Sequence, residues 1–191
     1  MKRIAIFASG SGSNAQKIME YFKRNKEIEV ALVLCNKADA YVLQRADNFE
    51  VPTHVFSKDE LYHTNSIDNL LKNLNIDLIA LAGFNILLPE RIIKAYPKKI
   101  LNIHPALLPK YGGKGMYGKY IHEAVLANKE KETGITIHYV NEVYDEGEII
   151  YQTRCSIEKD DDLEKLAYKV HQLEHHHFPK VIEDTIKKLA N

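Results

Sequence analysis

The chain has 191 residues, enough for one substantial hydrophobic core and too few for two, so one domain over 1–191 is expected. Lys and Arg total 26 and Asp and Glu total 26, which removes any global electrostatic case for nucleic acid or an anionic membrane as partner. Hydrophobic residues make up 45% of the chain with no long uncharged run, so a membrane span is excluded too.

Met1-Lys2-Arg3 is a basic start, but the apolar run behind it stops at Ser9-Gly10, short of a signal peptide, and reads as a first strand over 3–8. Further strand-like runs at 28–35, 53–56, 76–82 and 99–103 alternate with helical patterns near 14–24, 40–49, 59–74 and 89–96. Such alternation predicts a Rossmann-like α/β fold, an open and mostly parallel sheet with helices on both faces. Ile67, Leu70, Leu71 and Leu74 mark the buried face of the third helix. Beyond residue 104 the rhythm changes. A glycine-rich loop at 112–118 leads into a short helix near 119–128, then into the runs 135–140 and 148–152. Those two are joined through Tyr144-Asp145-Glu146-Gly147 and predict an antiparallel carboxy-terminal strand pair. Apolar positions at helical spacing over 162–190 predict a long closing helix, bent or restarted at Pro179.

Cys35 and Cys155 have neither a C-x-x-C spacing nor the density of a disulfide scaffold, which suits a reducing cytoplasm. Cys35 lies in an apolar run and Cys155 has no activating neighbours, so neither is the expected nucleophile. His175-His176-His177 point in different directions around a helix and do not form a one-face metal pair, so no metal is expected. Tyr111, Tyr117 and Tyr120 border the glycine loop without a basic stripe, which makes loop packing a better account than base stacking.

Three stretches carry chemistry. Ser9-Gly10-Ser11-Gly12-Ser13-Asn14-Ala15 falls between the first strand and first helix, where unpaired backbone N–H groups suit a phosphate. It also matches a dinucleotide fingerprint, but the second strand ends in Cys35-Asn36-Lys37 without the acidic residue that holds an adenosine ribose. Asn102-Ile103-His104-Pro105 ends a buried strand, the place where open α/β sheets bind ligands, with an amide donor and a titratable imidazole. Asp145 would supply a carboxylate to that imidazole, although Asp145-Glu146-Gly147 taken alone reads as a hairpin turn rather than a catalytic element. Gly83, closing the fourth strand, either admits a flat ligand or makes a tight turn.

Gly10-Ser11-Gly12-Ser13-Asn14, Asn36-Lys37-Ala38-Asp39-Ala40, Leu81-Ala82-Gly83-Phe84, the block from Leu101 to Tyr111 and Asp145-Glu146-Gly147 together resemble the phosphoribosylglycinamide formyltransferases. These are folate-dependent enzymes of purine biosynthesis within a wider formyltransferase superfamily. The resemblance implies transfer of a formyl group from 10-formyltetrahydrofolate, as co-substrate, to the amine of 5-phosphoribosylglycinamide. It implies Asn102 and His104 as stabilisers of the oxyanion, and Asp145 as the group that holds His104 charged and relays a proton. Gly12, Ser13, Asn14 and Glu174 would bind the substrate. Phe84, Asn85, Ile86, Leu87, Leu88, Asn102, Val140, Val143 and Asp145 would surround the folate.

Two features depart from the family pattern. Lys58 and His63 stand where members often carry an arginine toward the folate's acidic tail, and Gly112–Gly118 is longer and richer in glycine, expected to be a mobile cover. The alternatives are a formyltetrahydrofolate deformylase, a methionyl-tRNA formyltransferase and a non-catalytic phosphosugar-binding protein. The two enzymes are disfavoured because each is expected to carry an extra domain, and the binder because it has no need of Asn102, His104 and Asp145. Small molecules are the expected partners, with the chain a monomer or homodimer.

Overall fold

The computed structural model describes residues 1–189. Its order is β1 (Lys2–Ala8), α1 (Ser13–Phe22), β2 (Ile28–Cys35), α2 (Tyr41–Asn48), β3 (Thr53–Val55), α3 (Lys58–His63), α4 (Ser66–Asn73), β4 (Leu78–Leu81), α5 (Glu90–Ala95), β5 (Ile100–His104), α6 (Lys119–Ala127), β6 (Glu132–Tyr139), β7 (Ile149–Ser156) and α7 (Leu163–Leu189). The strands form one sheet in the order β3-β2-β1-β4-β5-β6-β7. The pairs from β3 to β5 are parallel and β6 is antiparallel to both its neighbours.

Period-two alternation along each central strand divides the core. Ile4, Ile6 and Ala8 of β1 join Leu101 and Ile103 of β5 in one cluster, packed by α1, α2 and α7. Ala5 and Phe7 join Ile79, Leu81 and Ile100 on the other face, under α3, α4 and α5. Most of these side chains are wholly buried, each contributing about 1.5–3 kcal/mol for the larger aliphatic and aromatic groups. The strand order reverses between β1 and β4, and a crevice opens there beyond the carboxyl ends of the strands.

Three expectations from sequence change. The helix expected over 59–74 is two helices, because Ser57 Oγ accepts from Glu60 N at 3.0 Å to start α3, while Arg91 caps its end through the carbonyls of Leu61, Tyr62 and Thr64. Ile67 and Leu71 are fully buried as expected, with Leu70 and Leu74 packed partly against them. The link between β6 and β7 is a loop over 140–148 rather than a tight hairpin turn, and both strands run longer than their apolar cores suggested. Finally, α7 does not restart at Pro179 but runs through it as one helix, with Val181, Ile182 and Ile186 still buried beyond the proline, so packing holds together what the missing N–H weakens. Residue 190, expected in that helix, lies outside the described residues. No helix among the described residues is long and apolar enough to cross a membrane.

Candidate active site

β1 delivers its loop to the crevice first. Ser9 Oγ donates to Asn36 Oδ1 at 2.6 Å and accepts from Asn85 N at 3.1 Å, tying the ends of β1, β2 and β4 together. Asn36 thus fills the place a ribose-binding carboxylate would need. Gly12 precedes α1 in the left-handed region at φ 73°. A Cβ there would lie 2.4 Å from Val42 Cγ2 and 2.9 Å from Val42 Cα, so the close passage of α2 excludes a side chain. Buried Asn14 donates from Nδ2 to Glu174 Oε2 at 3.0 Å, leaving its Oδ1 buried without a partner. Glu174, on α7, is 4% exposed, and burial pushes its carboxyl up to about 7 despite the Asn14 hydrogen bond.

The second group sits where β5 meets β6 and the 140–148 loop. Asp145, in the left-handed region at φ 58°, points a carboxylate inward. Its Oδ1 accepts from Asn102 Nδ2 at 3.3 Å and lies 3.5 Å from His104 Nδ1; its Oδ2 accepts from Gly113 N at 2.9 Å. Burial alone would raise the Asp145 carboxyl, but the polar groups around it, His138 first and the Gly113 N–H among them, outweigh it and hold it below its ordinary value. The expected partnership of His104 and Asp145 is therefore present in space.

The charge state differs from expectation. Burial lowers His104 more than Asp145 and the Tyr111 carbonyl raise it, so this site favours the neutral imidazole. His104 Nε2 lies 2.8 Å from the Tyr111 carbonyl, which makes it a donor and leaves Nδ1 facing Asp145. A second proton would land on Nδ1, directly against the carboxylate.

His138 belongs to the same cluster and was missed from sequence. It is 2% exposed, sits opposite Asn102 in the β5–β6 register, and its Nε2 lies 3.1 Å from Asn102 Nδ2 and 3.6 Å from Asp145 Oδ1. Its Nδ1, 2.8 Å from the Tyr139 carbonyl, is the donor, so Nε2 accepts from Asn102. The one available signal was a polar residue within the apolar run Ile135–Val140. His122 was missed as well. It is 3% exposed, lines the cleft from α6, has an unpartnered Nδ1 and is driven down to about 4 by burial, with His171 and His104 adding to the effect.

Gly12, Ser13, Asn14 and Glu174 line the same cleft, of about 820 Å³, as Asn102, His104 and Asp145. So do Phe84, Asn85, Ile86, Leu87 and Leu88 from one wall and Val140 and Val143 from another. Phe84 packs edge-on against Phe7 with centroids 5.3 Å apart, which stiffens that wall. Residues 113–118 also line the cleft, with Gly113, Gly115 and Gly118 at positive φ. Lys58 and His63 lie on α3, away from the cleft lining. Arg91, the arginine near that corner, is taken up by Asp68 and the end of α3.

The arrangement joins a row of N–H donors at a helix start to a carboxylate-centred hydrogen-bonding cluster across an apolar slot. Comparison with known proteins agrees with it. The profile of the formyl transferase family matches residues 2–182. The phosphoribosylglycinamide formyltransferase of Bacillus subtilis is 37% identical over 97% of this chain and 95% of its own length. The chloroplastic phosphoribosylglycinamide formyltransferase of Arabidopsis thaliana is 39% identical over 95% of this chain, which spans 64% of that protein. The crystal structure of phosphoribosylglycinamide formyltransferase from Bacillus halodurans superposes with a TM-score of 0.87 at 36% identity, covering 98% of this chain and 97% of that one. With its sheet order, its cleft and these relatives in agreement, the chain belongs to the formyl transferase family, among the phosphoribosylglycinamide formyltransferases.

Proposed function

We propose that residues 1–191 act as one formyltransferase domain that moves the formyl group of 10-formyltetrahydrofolate to the amine of 5-phosphoribosylglycinamide. The observation that carries the assignment of roles is the convergence of Asn102, His104 and His138 on the Asp145 carboxylate, across one cleft from the Gly12–Asn14 helix start. The substrate phosphate takes the N–H groups of that start. Glu174 meets the substrate beside Asn14, and the folate ring enters the slot between 84–88 and 140–145.

The neutral amine attacks the formyl carbon directly, so no enzyme nucleophile is needed. A C–N bond forms from the amine lone pair, the carbonyl electrons move to oxygen, and collapse expels the folate nitrogen, which takes a proton as the amine loses one. Asn102 meets the oxyanion by exchanging its longer contact, 3.3 Å to Asp145, for the new oxygen. Negative charge growing beside His104 raises the proton affinity that burial has lowered. The imidazole then takes up the amine proton, passed through water and Asp145, as the tetrahedral species forms rather than before it; Asp145 stabilises that charge, and the proton goes to the folate nitrogen on collapse. A reducing cytoplasm suits Cys35 and Cys155, both free, and the domain works as a monomer or homodimer.

The test is to incubate purified protein with both substrates and follow formylated ribonucleotide. Formate release without transfer marks a deformylase, and binding without either product marks a non-catalytic phosphosugar-binding protein.

A further inference from the structure

The Gly10–Asn14 loop has a second support, on α2. Arg45 lies outside the cleft lining; its Nε donates to the Ser11 carbonyl at 2.7 Å, its Nη1 hydrogen-bonds Gln16, and its guanidinium stacks over Tyr41 at 4.8 Å. One turn earlier, Val42 N donates to the Gly10 carbonyl at 3.2 Å. A trans peptide directs its C=O and its N–H to opposite sides. With the Gly10 and Ser11 carbonyls drawn toward α2, the N–H groups of Ser11 and Gly12 turn from α2 toward the cleft. The Gly12 carbonyl accepts from Gln16 N at 2.9 Å, so Ser13 N–H faces out of the start of α1. Three successive donors on one side form a concave anion seat.

We propose that Arg45 is a positioning residue for phosphate recognition, holding the Ser11–Gly12 peptide in the orientation that aims its N–H at the substrate phosphate without touching that phosphate itself. This rests on Gly12–Asn14 being the phosphate end of the site. An arginine suits the task because its planar fork meets two acceptors in fixed relation while its face stacks on a ring, which a lysine cannot do.

The experiment measures steady-state kinetics of Arg45→Ala and Arg45→Lys, together with inhibition by inorganic phosphate. Arg45→Ala raises KM for phosphoribosylglycinamide and the inhibition constant of phosphate by about 10-fold, the scale of one charge-assisted hydrogen bond, with kcat and the folate KM within about twofold. Arg45→Lys recovers only part of the loss. Failure of phosphate to compete with phosphoribosylglycinamide in the unaltered protein overturns the assignment of the loop. Competition there, with both constants unchanged in Arg45→Ala, overturns the role of Arg45 alone, as does an equal rise in both substrates' KM. If Arg45→Ala does not fold, Arg45→Lys decides: unchanged constants overturn the proposal, and a severalfold rise confined to phosphate and phosphoribosylglycinamide supports it.

Discussion

Glu174→Gln measures what burying a carboxylate beside the helix start costs this fold. Glu174 is 4% exposed, its neighbour at hydrogen-bond distance is Asn14 Nδ2 at 3.0 Å, and His171 Nε2 stands off at 3.9 Å. Burial raises the carboxyl from 4.5 to about 7 in the folded chain, whereas the unfolded chain keeps the ordinary value. The folded state therefore holds this proton more tightly than the unfolded state. Its stabilising contribution is complete below about pH 4.5 and is lost as pH rises through about 7. At about 1.4 kcal/mol per pKa unit, the ceiling on that loss is about 3 kcal/mol. Glutamine keeps the shape and an oxygen for Asn14 to donate to, but cannot ionise. Denaturant unfolding of both proteins near pH 5 and at pH 8.5 should find them close at the lower pH. At the higher pH the variant should be more stable by about 3 kcal/mol. An equal difference at both pH values would show that the carboxylate is already ionised in the fold, and the burial argument would fail.

His122 gives the opposite limb: with its folded value at about 4 against 6.5, its contribution is present above pH 6.5 and lost as pH falls toward 4. His122→Gln should therefore flatten the acid side of the stability profile, by up to about 3 kcal/mol, in the same unfolding assay. His104→Ala and Asp145→Asn should each lower kcat by about 10²–10⁴-fold with substrate binding retained, and the double variant should lose less than the product of the two; multiplying losses would mean the pair acts independently. His138→Ala removes an acceptor of the Asn102 amide and leaves a buried cavity, so kcat should fall about 10-fold and stability by about 2–4 kcal/mol by thermal melt; that stability loss with unchanged kcat would make His138 a packing residue. Gly12→Ala drives a Cβ against Val42 at positive φ. It should destabilise by about 2–4 kcal/mol by thermal melt and raise the phosphoribosylglycinamide KM while leaving the folate KM alone.

Much of the frame was legible in local sequence because it depends on local periodicity. Ile4, Ile6 and Ala8 against Ala5 and Phe7 state a strand buried on both faces, and the alternation of such strands with helices dictates a parallel sheet. Asn102-Ile103-His104-Pro105 advertised itself by standing at a strand end. The split of α3 from α4 was not visible, since it depends on Arg91 reaching back from α5 to the carbonyls at 61–64. Nor could sequence decide why Gly12 is glycine, as the obstacle is Val42, thirty residues on, brought there by α2.

The site itself is where tertiary structure decided most. Asp145 is 43 residues from Asn102, and Glu174 is 160 from Asn14, separations over which no spacing rule operates. Antiparallel register sets His138 opposite Asn102, and neither strand's pattern alone encodes that partner. The protonation of His104 is likewise a property of the assembled protein. Residue types named an imidazole and a carboxylate, whose attraction favours the charged form. Only the closed core sets the desolvation of His104 against that attraction, and burial is the larger of the two, lowering the imidazole beside a carboxyl that its polar neighbours also hold low.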